Sequence, residues 1–158
     1  MKIEKAVAQR YPQILQLVEQ FNMREGQGAV FWEDNVIEEL HIVGAEPDKL
    51  IWEFKVKEVH CNRLGNLHGG CAATLIDICS SFAVLTNSGK ARWNLIGVST
   101  DLSVSYLKGV PAETMIRLEC EVQRVGKTLA NIFTKVYNDQ GQVCYTGSHT
   151  KFNIDPKL

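Results

Sequence analysis

The chain has 158 residues, a length that suits one domain of about 100–200 residues. At 45% hydrophobic composition it can bury a core, which excludes wholesale disorder. A net charge of -1 lacks the basic excess of proteins that grip nucleic-acid phosphates, so no nucleic-acid partner is expected and any anion site must be local.

The opening Met1-Lys2-Ile3-Glu4-Lys5 leads into polar residues without the apolar core of a secretory signal. No uncharged apolar run reaches the about 20 residues of a bilayer crossing. Residues 11–21, YPQILQLVEQF, set Ile14, Leu15, Leu17, Val18 and Phe21 at helical spacing with Pro12 in the first turn, which predicts an amphipathic helix. Residues 24–35 hold two glycines and no period, and read as a loop. Strands are expected over 36–43 and 49–59, joined by a turn at Ala45-Glu46-Pro47-Asp48. His41 and His60 are expected on the strand surface.

Residues 60–70, HCNRLGNLHGG, form a long turn, and CAATLIDICSSFAVLT after it is helix material of about 18 residues, about 27 Å long. Asn87-Ser88-Gly89 stops it. From 96 onward the pattern alternates. Val98, Thr100, Leu102, Val104 and Tyr106 share one face, while Ser99, Asp101, Ser103 and Ser105 share the other. A second strand runs from Thr114 to Gln123, and two more over about 128–138 and 142–153 are joined at Asn138-Asp139-Gln140-Gly141. The fold class is therefore α+β, one antiparallel sheet with a helix against it.

Between Gly69 and Gly89 the only charged residue is Asp77, on a helix apolar or small on every side. Such a helix is buried, and an ionised carboxylate there must be paired or hydrogen-bonded. It is either a carboxylate satisfied by a nearby arginine, a backbone donor or a solvent window, or a reactive group in a dry pocket. His68-Gly69-Gly70 opens that helix, where backbone N–H groups lack partners and the dipole is positive. Two glycines let a ligand approach those amides, as an oxyanion site requires. Ser99 could orient a water or hold a carboxylate. Cys71 with His68 as base makes a weaker alternative nucleophile. No GxSxG, P-loop or GxGxxG occurs. The cysteines at 61, 71, 79, 120 and 144 form an odd set with no CxxC or zinc spacing. That predicts reduced thiols, no metal and a cytoplasmic location, with the mitochondrial matrix as the alternative.

The run from His60 to Gly70 with Ala73-Thr74-Leu75-Ile76-Asp77 resembles the signature of hotdog-fold acyl-CoA thioesterases of the phenylacetate-degradation and thioesterase-superfamily branch. Gly97-Val98-Ser99-Thr100-Asp101-Leu102, Ser105-Tyr106, Val125-Gly126-Lys127-Thr128-Leu129-Ala130 and Gly147-Ser148-His149-Thr150-Lys151 extend it, so that it covers about 36–153. The resemblance implies a long helix wrapped by a curved antiparallel sheet over 36–158, with residues 1–35 as an N-terminal helical extension. It implies that two subunits pair into one continuous sheet with active sites at the interface, and that such dimers can form homotetramers. Asp77 would then be the general base or nucleophile, acting from the partner's helix. The Gly69 amide would polarise the thioester carbonyl, Asn62 would position carbonyl or water, His68 would shape the loop, and Ser99 would orient water or Asp77 from the other subunit. Tyr106 and the turn Arg124, Val125, Gly126, Lys127, Thr128 and Leu129 would meet coenzyme A, which enters only as part of the substrate and product. The expected activity is hydrolysis of an acyl-CoA thioester to a carboxylic acid and coenzyme A, with no further cofactor. A non-catalytic acyl-CoA or acyl-carrier binder is the first alternative, and a hydratase using His68 the second.

Overall fold

The computed structural model describes residues 1–23 and 31–156; residues 24–30 of the expected 24–35 loop lie outside the described residues. In chain order the elements are β1 (Lys2–Ile3), α1 (Lys5–Arg10), α2 (Pro12–Met23), α3 (Asp34–Ile37), β2 (Leu40–Glu46), β3 (Lys49–Lys55), α4 (Gly69–Ala83), β4 (Val98–Tyr106), β5 (Met115–Val125), β6 (Leu129–Tyr137) and β7 (Val143–Phe152). The strands make one sheet in the order β1-β2-β3-β5-β6-β7-β4. Every strand pair is antiparallel except β1 with β2. This is the expected α+β arrangement, a long helix against a predominantly antiparallel sheet.

The core lies between α4 and the sheet. Trp52 of β3 meets Phe82 of α4 edge-on at 5.3 Å between ring centroids, and both are fully buried. The expected helix over 11–21 is α2, which buries Ile14 and Val18. The expected strand over 36–43 begins late. Val36 and Ile37 are both buried and wind into α3, whereas a strand would send neighbouring residues to opposite faces. The strand expected over 49–59 ends at Lys55, and a 3-10 turn follows at Glu58–His60. His60 is therefore not a strand-surface residue. It is buried, stacks 4.8 Å from the Phe54 ring, and burial lowers its pKa below the ordinary value of 6.5.

The segment Gly69–Thr86 is 18 residues long and apolar enough for a membrane crossing by composition alone. Here α4 and the 3-10 turn Val84–Thr86 form the core helix and its end. One correction concerns its surface. Leu75, Ile76, Cys79 and Phe82 are buried, but Gly70, Ala73, Thr74, Asp77 and Ile78 form a stripe that stays partly open. Helix α4 is thus not enclosed on every side, and Asp77 lies on the open stripe.

Helix α4 approaches β7 closely because Gly147 has no side chain. A Cβ there would lie 2.5 Å from Ile76 Cγ2. Strand β4 pairs with β7 at the end of the sheet order. The pairing slips between Ser99 and Asp101, a β-bulge at Thr100. Before the bulge Ser99 faces Lys151, and after it Leu102 faces His149 and Tyr106 faces Tyr145. The bulge overturns the expected strict alternation: Ser99 joins Leu102, Val104 and Tyr106 on the helix side, while Asp101, Ser103 and Ser105 face outward.

Candidate active site

Asp77 projects from the open stripe of α4 with its side chain 45% exposed. Ser99 donates to Asp77 Oδ1 at 3.1 Å. Of the two environments expected for this carboxylate, the dry pocket is not what is found: the group faces a solvent opening and a polar cluster that β7 supplies. His149 Nε2 lies 2.8 Å from Ser99 Oγ and 3.5 Å from Asp77 Oδ1. Its Nδ1 lies 2.6 Å from Ser80 Oγ. Lys151 donates to Ser81 Oγ at 2.7 Å and to Ser99 Oγ at 3.5 Å. Ser81 in turn donates to the Asp77 carbonyl at 2.7 Å.

The Ser99 proton goes to the carboxylate, so the His149 ring satisfies the cluster by donating from Nε2 to Ser99. That tautomer is neutral. Burial and the neighbouring Lys151 ammonium drive the His149 pKa from 6.5 down to about 4, against the opposing pull of Asp77 and Asp101. Burial also lowers the Lys151 pKa, and the Asp77 carboxylate partly restores it. A neutral imidazole and a buried ammonium thus hold Ser99 from two sides, and Ser99 holds one carboxylate oxygen.

The other expected residues gather elsewhere. His68 is the N-cap of α4, its Nδ1 accepting the Gly70 N–H at 3.0 Å. The Gly69 N–H has no partner among the described residues, and the Tyr106 hydroxyl donates to the Gly69 carbonyl at 3.2 Å. A Cβ on Gly69 would lie 3.3 Å from the Tyr106 ring, so the glycine leaves room for that contact. Asn62 Oδ1 accepts from the backbone of Leu64 at 2.9 Å and Asn66 at 3.3 Å. This shapes the turn and leaves the Asn62 NH2 group without a partner among the described residues. The Cys71 thiol is pushed up to about 11, chiefly by burial. It stays protonated at neutral pH, which argues against the Cys71–His68 alternative.

Gly69 and Asp77 are eight residues apart on one helix, about 12 Å along its axis. One chain therefore brings Asp77 to Ser99 but keeps Asn62, His68, Gly69 and Tyr106 at the opposite end of β4. The turn between β5 and β6 sits at the Asp77 end, where Asn153 donates to the Thr128 carbonyl at 2.8 Å. Its Gly126 carbonyl accepts from the Trp93 indole at 2.8 Å, and Arg124 and Lys127 are exposed.

A cavity of about 490 Å³ opens beside Asp77. Its polar wall is Asp77, Ser81, Ser99 and Lys151, and the rest is mainly apolar. A second cavity, of about 340 Å³, lies beside His68, Gly70 and Thr74. Sequence reasoning met His149 and Lys151 only as part of the resembling stretch 147–151 and gave neither a role in the site. The available signal was the two-residue period of Tyr145, Gly147, His149 and Lys151, which puts all four on the helix side.

The profile of the thioesterase superfamily matches residues 64–145, more than half of the chain and all of α4. The chain belongs to the thioesterase superfamily. Its chemistry is the hydrolysis of a thioester. It is similar to the mouse protein named acyl-coenzyme A thioesterase 13, with 38% identity over 119 residues covering 75% of this chain and 82% of that one. The solved zebrafish thioesterase superfamily member 2 superposes with a TM-score of 0.73 at 30% identity, over 89% of this chain and 97% of that one. The hotdog arrangement is shared more widely. A hypothetical thioesterase protein from Streptococcus pneumoniae, solved with coenzyme A, superposes with a TM-score of 0.66 at 23% identity, over 77% of this chain and 93% of that one.

Proposed function

We propose that this thioesterase hydrolyses acyl-coenzyme A to a carboxylic acid and coenzyme A, at a site completed by two copies of the chain. The observation that carries this reading is the split of the constellation. Asp77 is held by Ser99 beside a cavity, while the Gly69 amide stands about 12 Å away on the same helix. A reacting carbonyl must touch both the oxyanion donor and the attacking water within about 3 Å. One chain cannot meet that requirement.

A second copy supplies what is missing. Strand β4 ends the sheet order, and nothing among the described residues pairs with its outer edge. An exposed edge of this kind is a template for another strand. Two copies joined edge to edge about a two-fold axis run β4 antiparallel to β4, so the Ser99 end of one meets the Tyr106 end of the other. Asp77 of one subunit then faces Gly69 and Asn62 of its partner.

In that site the Gly69 N–H and the Asn62 NH2 group polarise the thioester carbonyl. Asp77, oriented by Ser99, takes the proton of a water as it attacks the carbonyl carbon. The tetrahedral intermediate collapses by breaking the C–S bond, and the thiolate of coenzyme A leaves. Acyl-coenzyme A as the substrate is supported by the name of the mouse relative at 38% identity. Arg124 and Lys127 at the exposed turn, with the Tyr106 that a second copy brings to that end, would meet the nucleotide and phosphates of coenzyme A.

Replacing Asp77 by Asn keeps the volume and removes the base. Free-thiol release from acyl-CoA substrates should fall at least about 100-fold, with assembly unchanged by light scattering. Near-normal turnover in Asp77→Asn would refute the mechanism. Saturable coenzyme A binding by the native protein without any thiol release would instead make it a carrier.

A further inference from the structure

The cavity beside Asp77 is lined by both polar and apolar side chains, and two of the apolar ones, Phe21 and Trp32, come from outside the matched segment 64–145. Asp77, Ser99, Ser81 and Lys151 gather where the thioester would react. The apolar lining includes Phe21, Trp32, Ile78, Phe82, Ile96 and Val98. Phe21 comes from the last turns of α2. Its ring lies 5.4 Å from that of Phe82 at an interplanar angle of 57°, and Phe82 is fully buried against Trp52. Phe21 is therefore backed by the core aromatic stack and forms a firm wall.

Trp32 is held differently. Its indole N–H donates to Thr74 Oγ1 at 2.9 Å, and Thr74 donates to the Gly70 carbonyl at 2.9 Å. This tethers the indole to the open stripe of α4, where it lines both cavities. Its polar atom is satisfied within the protein, yet the residue is 72% exposed. A tethered, satisfied and bare indole beside a reactive carboxylate offers an aromatic face to an apolar guest.

We propose that Phe21 and Trp32 are specificity-determining residues for the acyl group, Phe21 limiting its length and Trp32 favouring a flat apolar face. The inference rests on the acyl-CoA reading above and adds the location of the acyl group. Phe21, backed by Phe82, is the wall that sets the length limit. Trp32 covers the side and favours flat or extended groups over small ones. Apart from Asp77 and Lys151, Glu33 beside Trp32 is the charged side chain that lines the cavity, so acyl groups with a terminal carboxylate are disfavoured.

The test is a panel of acyl-CoA substrates from acetyl to long-chain, with phenylacetyl and a dicarboxylic acyl included, read by thiol release as kcat/KM. In Phe21→Ala the ratio of kcat/KM for the longest chain to that for acetyl should rise at least about tenfold, the scale of discrimination by a few methylenes. In Trp32→Ala the ratio of phenylacetyl to acetyl should fall at least about tenfold. Should Phe21→Ala fail to fold, Phe21→Leu shortens the wall more gently, and the exposed Trp32 position decides the matter independently. Ratios that stay constant across the panel in these variants overturn the proposal. That failure is distinct from failure of the hydrolase reading, because it would occur with Asp77→Asn still inactive.

Discussion

His149 and Lys151 are two ionisable side chains buried beside a carboxylate, 1% and 3% exposed, and their burial has a consequence for stability. Unfolding releases the His149 ring to its ordinary pKa of 6.5 from about 4 in the folded chain. The unfolded chain therefore binds a proton between these values that the folded chain refuses. The His149 contribution is fully present above pH 6.5 and is lost as pH falls towards 4, by an amount of the order of a few kcal/mol. The denaturation midpoint should drop across that window at fixed protein concentration, and His149→Gln should flatten the drop. A drop of equal size in the variant would remove His149 as its cause. At this scale the sequence was only half legible. Asp77 was visible because no other charge interrupts its helix, but His149 and Lys151, which surround its partner Ser99, lie 72 and 74 positions further on, and no local pattern pairs them with it.

Helix α4 and strand β4 carry the site, and they were legible to different degrees. The extent of the helix followed from its composition and from the Gly pair and Asn87 at its ends. Which face stays open did not follow, because that depends on where the sheet ends rather than on anything within the helix. In β4 the alternation was clear, yet the bulge at Thr100 moved Ser99 to the helix side, and a bulge without glycine leaves no mark in an alternating run. The late start of β2 has a similar cause, since Val36 and Ile37 are equally good strand residues until tertiary burial selects the helix. The close approach of α4 to β7 provides a test at this scale. Gly147→Ala places a Cβ 2.5 Å from Ile76 Cγ2, a methyl fixed directly to the Cβ of a buried helix residue. The substitution should destabilise the fold by about 1–3 kcal/mol, measured by urea denaturation. It should also reduce turnover by displacing Ser80 and Ser81 from His149 and Lys151. An unchanged midpoint would mean that the helix is free to lift from the sheet.

The whole molecule places two half-sites at opposite ends of one strand, and its function as proposed depends on how copies are joined. The motif His68-Gly69-Gly70 and the acid Asp77 were both conspicuous in the sequence, and the eight residues between Gly69 and Asp77 along one helix are the reason the proposed site is shared between two chains. A mixed assembly tests this most directly. Asp77→Asn and Asn62→Ala subunits, each prepared alone as an assembly with little activity, are co-expressed with different tags in equal amounts. If the site is shared, every mixed dimer contains one intact site, with Asp77 from one subunit and Asn62 from the other. Random pairing then restores about a quarter of native thiol release. If each chain carries its own complete site, no combination contains an intact one, and the mixture remains as inactive as its parents.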